Sequence, residues 1–276
     1  MEPKEYLIGE MSEILGVSTD TLRFYEKKGI LNPKKKQNRY RYYTEEDIKN
    51  FMWILYNRKL NFSLDEISGW KGQDSDHFAA DFRGNVFQKI EEEQDILLHH
   101  RRILKRLSMT LKDIDTVNIH LNQYSIKDFP DAYIVKTSPD YISSVEEWYK
   151  VSSCIPGLDM TYFYTHYRLE GKNIMTGGTD LMLYAENAPS VDASYPLGSC
   201  PRTEPRPCVY TIVKTETSEL SEDIFYEMKA WARKKGLEAE NRACSNIVMC
   251  RDGEFSPFYY HEIYIPLERD TAREML

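Results

Sequence analysis

The sequence contains no run of about 18 apolar residues, so no stretch of it has the length and character of a membrane-spanning helix. Its first residues, MEPKEYLIGE, are acidic and lack the basic-then-apolar pattern of a secretory signal. A cytoplasmic protein with no membrane partner is therefore expected. Cysteine is scarce: Cys154, Cys200, Cys208, Cys244 and Cys250 are odd in number and widely spaced. No CxxC occurs, nor any Cys/His pair at zinc-finger spacing, so a disulfide framework and a structural zinc site are both unexpected. No glycine-rich phosphate loop and no GxSxG occurs, and Ser218, His166 and Asp159 form no recognisable nucleophile arrangement. Neither an enzyme nor a bound cofactor is expected.

What is present is uneven charge. The 276 residues carry a net charge of -8, with 41% hydrophobic and 29% charged residues. Such a balance suits two domains with real cores joined by a connector. Residues 18 to 41 hold Arg23, Lys27, Lys28, Lys34, Lys35, Lys36, Arg39 and Arg41 against only Asp20 and Glu26. That stretch is strongly basic within an acidic chain, the footprint of a surface that meets phosphates.

The basic stretch continues a helical pattern. Leu7, Ile8, Met11, Ile14 and Leu15 recur at three-to-four spacing, and Gly16 supplies a stop. Ser18 can cap a second helix from Thr19 to about Lys28, on which Leu22 and Phe24 or Tyr25 face inward while Thr19, Thr21 and Arg23 can reach base edges or phosphates. Lys34 to Tyr43 fits a β-hairpin wing with Gln37 and Asn38 near its tip. Arg39 and Arg41 share one strand parity, Tyr40 and Tyr42 the other. Thr44 and Ser63 each precede acidic residues and then apolar ones, which marks two further helix starts.

Residues 6 to 70 resemble the N-terminal domain of the MerR family of transcription regulators. The motifs YLIGEMSEILGVS, TLRFYEKKGIL, YRYYTEEDI and LNFSLDEI carry the resemblance, in the family's order and spacing. Where Phe24 stands the family commonly has tyrosine. The resemblance implies a winged helix-turn-helix that binds double-stranded promoter DNA at an inverted repeat and meets RNA polymerase through that promoter. The candidate DNA contacts are Ser18, Thr19, Thr21, Arg23, Tyr25, Lys36, Arg39, Tyr40, Arg41 and Tyr42.

Beyond Phe78, Ile90, Leu97, Leu104 and Leu111 lie seven apart, with Val86, Leu107 and Ile114 at companion positions and Glu93 and His100 breaking the stripe. A long amphipathic helix paired with a second copy fits this pattern; packing on its own chain is the alternative. The resemblance implies antiparallel dimerisation. His99 and His100 are adjacent on a helix and point apart, so they do not form a metal pair.

Residues 118–130 read as a linker. After them the period falls to two, and strands alternate with helices in two rounds of strand, helix, strand, strand. Gly177-Gly178 reads as a turn. The order of elements resembles the GyrI-like small-molecule-binding domain of some multidrug-sensing MerR regulators. PCVYTIV, EDIFYEMKAWARKKGLE and FYYHEIYIPL carry that likeness. On the closing strand, alternation puts Tyr260, Glu262 and Tyr264 on one face and His261, Ile263 and Ile265 on the other. A carboxylate between two tyrosines suits a lipophilic cation. The resemblance implies that Glu262 is the ligand-binding glutamate. Tyr164, Tyr149 and Trp148 are further candidates for the pocket, as are Tyr141, Tyr162, Tyr167 and Tyr210.

The expected fold is α+β and multidomain: a winged helix-turn-helix over 1–74, a long dimerisation helix over 75–117, a linker over 118–130, and a GyrI-like domain over 131–276. The expected function is a homodimeric regulator, by the family resemblance an activator, that distorts promoter DNA when a small lipophilic, cationic effector binds. Two rivals stand beside it. A metal- or redox-responsive regulator would need Cys or His near the ends of the long helix, where no cysteine falls. A DNA-binding module fused to a GyrI-like hydrolase is the other, because some GyrI-like proteins are implied to hydrolyse small electrophiles.

Overall fold

A computed structural model describes residues 4–36, 40–70, 75–171, 173–251 and 257–268. The chain packs as two units, Met1–Leu98 and His99–Leu276, each taken by itself below.

In the first unit, strand β1 (Glu5–Leu7) leads into helix α1 (Ile8–Leu15). Gly16 ends α1 with φ at +64°, a left-handed conformation that glycine adopts without a Cβ penalty. Ser18 then caps α2 (Thr19–Lys27): its Oγ accepts the Thr21 amide at 3.1 Å. Strands β2 (Lys34–Lys35) and β3 (Arg41–Thr44) pair antiparallel, and β3 also pairs with β1, giving the order β1-β3-β2. The expected wing tip at Gln37 and Asn38 lies outside the described residues, as does the boundary expected at residue 74.

Helices α3 (Glu45–Lys59) and α4 (Leu64–Gly69) both begin with reciprocal caps. Asp47 accepts the Thr44 amide at 2.7 Å, and Glu66 accepts the Ser63 amide at 2.5 Å. Met11, Leu22, Tyr25, Tyr43, Phe51, Ile54, Phe62 and Ile67 make the core. Phe78 and Phe82, from the start of α5 (Ser75–His120), stack in parallel at 5.4 Å and close that core beside Trp70. Further along α5, the heptad leucines face solvent; Leu104 is 63% exposed.

The second unit is one seven-stranded antiparallel sheet of β4 (Ser125–Asp128), β5 (Ala132–Ser138), β6 (Tyr162–Glu170), β7 (Asn173–Tyr184), β8 (Pro207–Thr215), β9 (Arg242–Arg251) and β10 (Phe258–Pro266), in the order β4-β8-β10-β9-β6-β7-β5. Helix α6 (Tyr141–Cys154) follows β5, and α7 (Glu222–Lys234) follows β8. Strand, helix, strand, strand thus occurs twice. The two halves meet where β6 pairs with β9, so the order β8-β10-β9 mirrors β5-β7-β6 about that seam.

The faces divide by strand alternation. Val209, Ile263 and Ile265 pack under Phe225 and Met228 of α7. Leu181 and Leu183 pack with Trp148 and Val151 of α6. Tyr164, Met182, Tyr210 and Tyr264 point the other way, toward Val117 and Leu121 at the end of α5 and toward Phe129.

Two expectations fail here. The 118–130 linker contains the last turn of α5 and the edge strand β4, whose short polar sequence SIKD carries no period of its own. It is recruited by backbone pairing to β8. Gly177-Gly178 does not turn the chain but lies inside β7. A Cβ on Gly178 would meet the Ser138 carbonyl oxygen at 2.6 Å, so close approach of neighbouring backbone is the reason for glycine there.

Candidate functional site

Glu262 stands on β10, between β8 and β9, opposite Ile212 and Asn246. It is only 5% exposed. A buried carboxylate requires donors, and five surround it. Tyr164 donates to Oε1 at 2.6 Å, and Tyr184 and Asn246 donate to the same oxygen at 3.4 Å each. Tyr264 and Tyr210 donate to Oε2 at 3.2 and 3.3 Å. With the Tyr164 proton on Oε1, the single Tyr184 proton is shared between Oε1 and the Tyr164 hydroxyl oxygen, 2.6 Å away. Burial first, and then the Glu262 charge, pushes Tyr164, Tyr184 and Tyr264 far above the ordinary tyrosine range, so all three act as neutral donors.

Aromatic rings wall this carboxylate. Phe129 packs edge-on against Tyr164 at 5.5 Å and Tyr264 at 5.2 Å, and Tyr162 stacks on Tyr184 at 4.5 Å. Glu262 and Tyr264 reach a cavity of about 370 Å³ that α5 closes with Met109, Asp113 and Thr116. Asp113 accepts from the Tyr162 hydroxyl at 3.3 and 3.4 Å. Desolvation, then the neighbouring Glu262, raises the Asp113 carboxyl to about 6. The cavity is lined by ring faces and by five acidic residues, Asp113, Asp128, Asp131, Glu186 and Glu262, against two lysines, Lys112 and Lys127, a balance that attracts positive charge.

A larger cavity, about 800 Å³, opens beside Phe129, Ile134, Met182 and Cys244. Its buried acid, Asp180, is already satisfied by His166 Nε2 at 2.7 Å and Thr137 Oγ1 at 2.6 Å. It lacks the aromatic cage, so the smaller cavity is the better candidate for a cation.

Of the expected pocket residues, the structure brings Glu262, Tyr264 and Tyr164 together. Tyr260 is on the same face but contacts Phe258 at 5.4 Å and is no partner of Glu262. Trp148 belongs to the cluster under the opposite face, 6.2 Å from Phe163, and Tyr149 is 69% exposed. Both sit on α6, which lies against Leu181 and Leu183, and that placement removes them from the site. Tyr184 and Asn246 were missed as Glu262 partners, and so was Asp113. The signal for Tyr184 was its parity with Met182 on β7; Asp113 comes from a segment whose pattern reads only as a surface-charged helix.

On the first unit, Ser18 and Thr21 bond each other at 2.9 Å at the start of α2, and Arg23 is exposed beside Asp20 at 2.9 Å. Thr19 lies half-buried in the same first turn. Tyr25 is not a surface group. It is 7% exposed and meets Phe51 edge-on at 4.9 Å, because its position on α2 follows Leu22 by three residues and shares that inward face. Arg41 is bound inward, its Nε 2.6 Å from Glu26, whose other oxygen accepts from the buried Tyr43 hydroxyl. Lys36 pairs with Glu5 and covers the Tyr42 ring at 4.5 Å. Tyr40 is exposed, and Arg39 lies outside the described residues. Among the described residues no three His, Cys, Asp or Glu side chains gather as a metal site. No helix among them is long and apolar enough to cross a membrane.

The model of the MerR HTH family regulatory protein matches residues 6–71. The HTH-type transcriptional regulator ZntR of Escherichia coli (strain K12) is 30% identical over 91 residues, which are 32% of this chain and 64% of that protein. The chain thus spans just under two thirds of that relative. The mercuric resistance operon regulatory protein of Bacillus cereus is 30% identical over 112 residues, 40% of this chain and 84% of that protein. Among solved structures, that of SAV2435 bound to tetraphenylphosphonium aligns with 53% of this chain and 94% of its own, at 10% identity and a TM-score of 0.31.

Proposed function

The chain belongs to the MerR family of helix-turn-helix regulatory proteins, and we propose that it is a homodimeric transcription regulator controlled by a small lipophilic cation bound at Glu262. In this mechanism α2 enters the major groove of promoter DNA, with Thr21 and Arg23 nearest the bases and Ser18 and Thr19 at the phosphates. Lys36, Arg39, Tyr40, Arg41 and Tyr42 line the wing that lies along the flanking backbone. The inward pairing of Arg41 with Glu26 means that its charge is shared between fold and phosphate. The apolar stripe of α5 pairs two copies, so the operator is an inverted repeat. Effector binding in the second unit biases how the DNA is distorted, and RNA polymerase reads that distortion through the promoter. The protein's role is binding, not catalysis.

One observation carries the effector part. Glu262 is buried among five hydrogen-bond donors and aromatic rings, and no donor in that set brings a positive charge. Burying an anion in this way is costly unless positive charge reaches it, and the cavity beside Glu262 is where a cation can do so. Calorimetric titration with a lipophilic cation and a neutral compound of similar shape tests this. Glu262→Gln should weaken the cation by about tenfold to a hundredfold, on the scale of a desolvated charge interaction, and the neutral compound far less. Equal losses would mean that Glu262 serves the fold alone.

The DNA part is tested on the operator. Arg23→Ala should reduce the slope of log affinity against log salt by roughly one unit, as the loss of one phosphate-neutralising cation predicts. An unchanged slope would remove Arg23 from the interface.

A further inference from the structure

Lys127 lies on β4, separated from the end of α5 only by residues 121–124. Its ammonium sits 4.1 Å from the ring centroid of Tyr210 and 5.7 Å from that of Tyr264. Those are the two rings whose hydroxyls donate to Oε2 of Glu262. Lys127, Asp113, Glu262 and Tyr264 line the same cavity. A lysine at a sheet edge ordinarily extends its charge into water. This one turns it onto aromatic faces, where burial pulls it below the ordinary lysine range while Glu262 and Asp113 pull it back up. The cage around Glu262 therefore already has a positive group at its rings.

We propose that Lys127 is the resident cation of the Glu262 cage, a self-ligand that covers its ring faces until a cationic effector displaces it. This deepens the function proposed above and rests on it for the identity of the displacing group. Two like charges on the same pair of rings repel strongly where water is excluded. The cavity, about 370 Å³, is at the small end of the range for ligand pockets. A bulky cation and the ammonium do not fit there together. The lysine stem lets the displaced ammonium return to solvent.

Two consequences follow from the placement. A neutral ligand exerts no charge repulsion on Lys127, so the exchange favours cations over neutral compounds of the same shape. The exchange also takes place on a ring that the long helix touches, because His120, the last residue of α5, meets Tyr210 edge-on at 5.0 Å. Removing the ammonium from Tyr210 changes the surroundings of a ring that supports the helix end. Effector entry is thereby connected to the end of α5 within the second unit.

The test uses the full chain and tetraphenylphosphonium, a permanent cation without a titrating proton. Lys127→Met should tighten its dissociation constant by about tenfold, because a competing like charge is gone, and Lys127→Arg should stay within about threefold of wild type. An unchanged or weaker constant in Lys127→Met overturns the proposal. A second measurement needs no ligand: thermal unfolding of wild type, Lys127→Met, Glu262→Gln and the double variant. Lys127→Met should lower Tm by about 3–6 °C with Glu262 present and by much less in the Glu262→Gln background. Equal shifts in both backgrounds overturn the proposal whatever the titration shows. Coupled shifts with no probe binding to any of the proteins would uphold Lys127 as resident cation and refute the cationic effector.

Discussion

Acidification should act on the second unit through His261. The imidazole is 1% exposed on β10, and among the described residues neither ring nitrogen has a hydrogen-bond partner of good geometry. Burial lowers its pKa from 6.5 to about 4, with the Thr217 backbone offsetting a little of the effect. The folded state therefore takes up its proton later than the unfolded chain. Stability from neutral His261 is complete above pH 6.5, falls as the pH drops through the window to about 4, and is level below it. A gap of about 2.5 pKa units at 1.36 kcal/mol per unit amounts to about 3 kcal/mol. Asp113 acts in the opposite direction: its carboxyl is raised from 3.8 to about 6, so protonation over nearly the same window favours the folded state. The wild-type profile alone therefore conceals both. The informative quantity is the difference between wild type and His261→Leu, a swap of similar size without the titrating ring. Calorimetric melts of the two proteins from pH 7.5 to 4 should show wild type losing about 6–12 °C relative to the variant. Parallel profiles would refute the burial of a neutral imidazole, since nothing else separates the two proteins in that window.

Two substitutions separate packing from contact elsewhere. Tyr25→Phe keeps the ring against Phe51 and should leave operator affinity within about twofold, whereas Tyr25→Ala should destabilise the first unit by about 3–5 kcal/mol in denaturant unfolding, as loss of a buried aromatic does. A large loss of DNA affinity in Tyr25→Phe at unchanged stability would return Tyr25 to the interface. Gly178→Ala should cost about 1–3 kcal/mol, because its Cβ would lie 2.6 Å from a backbone oxygen that has little room to retreat. Gly177→Ala, with its closest approach at 3.4 Å, should cost clearly less, and equal costs would point to chain flexibility as the reason for both glycines.

The first unit was legible because its signals are local. Gly16 followed by Ser18 marks one helix end and the next start within three residues, and the Thr44 and Ser63 caps each bond a residue three positions on. Such contacts form between neighbours in sequence, so spacing reveals them. Tyr25 shows the limit of that legibility. Its type suits a DNA contact, but its position three residues after Leu22 already assigned it to the core. The repeated strand, helix, strand, strand order of the second unit was readable for the same reason, since each strand carries its own alternation. Strand β4 was not: four residues of mixed polarity become a strand only because β8 presents an unpaired edge.

The Glu262 cage was legible only in part because its members converge from six strands and one helix. Alternation along β10 puts Glu262 and Tyr264 on one face, since a strand repeats every two residues. It says nothing of which strand lies next to β10, and that choice brings Asn246 from β9 and Tyr210 from β8. Tyr164 and Tyr184 come from the other half of the pseudo-repeat, across the β6–β9 seam. Asp113 and Lys127 come from segments that look like helix surface and connector, where charged residues are ordinarily solvated. Their recruitment is what gives the site its chemistry. A carboxylate with tyrosine donors alone would be a rigid polar knot in the core, whereas one that shares a cavity with a second carboxylate and a movable ammonium can exchange one cation for another.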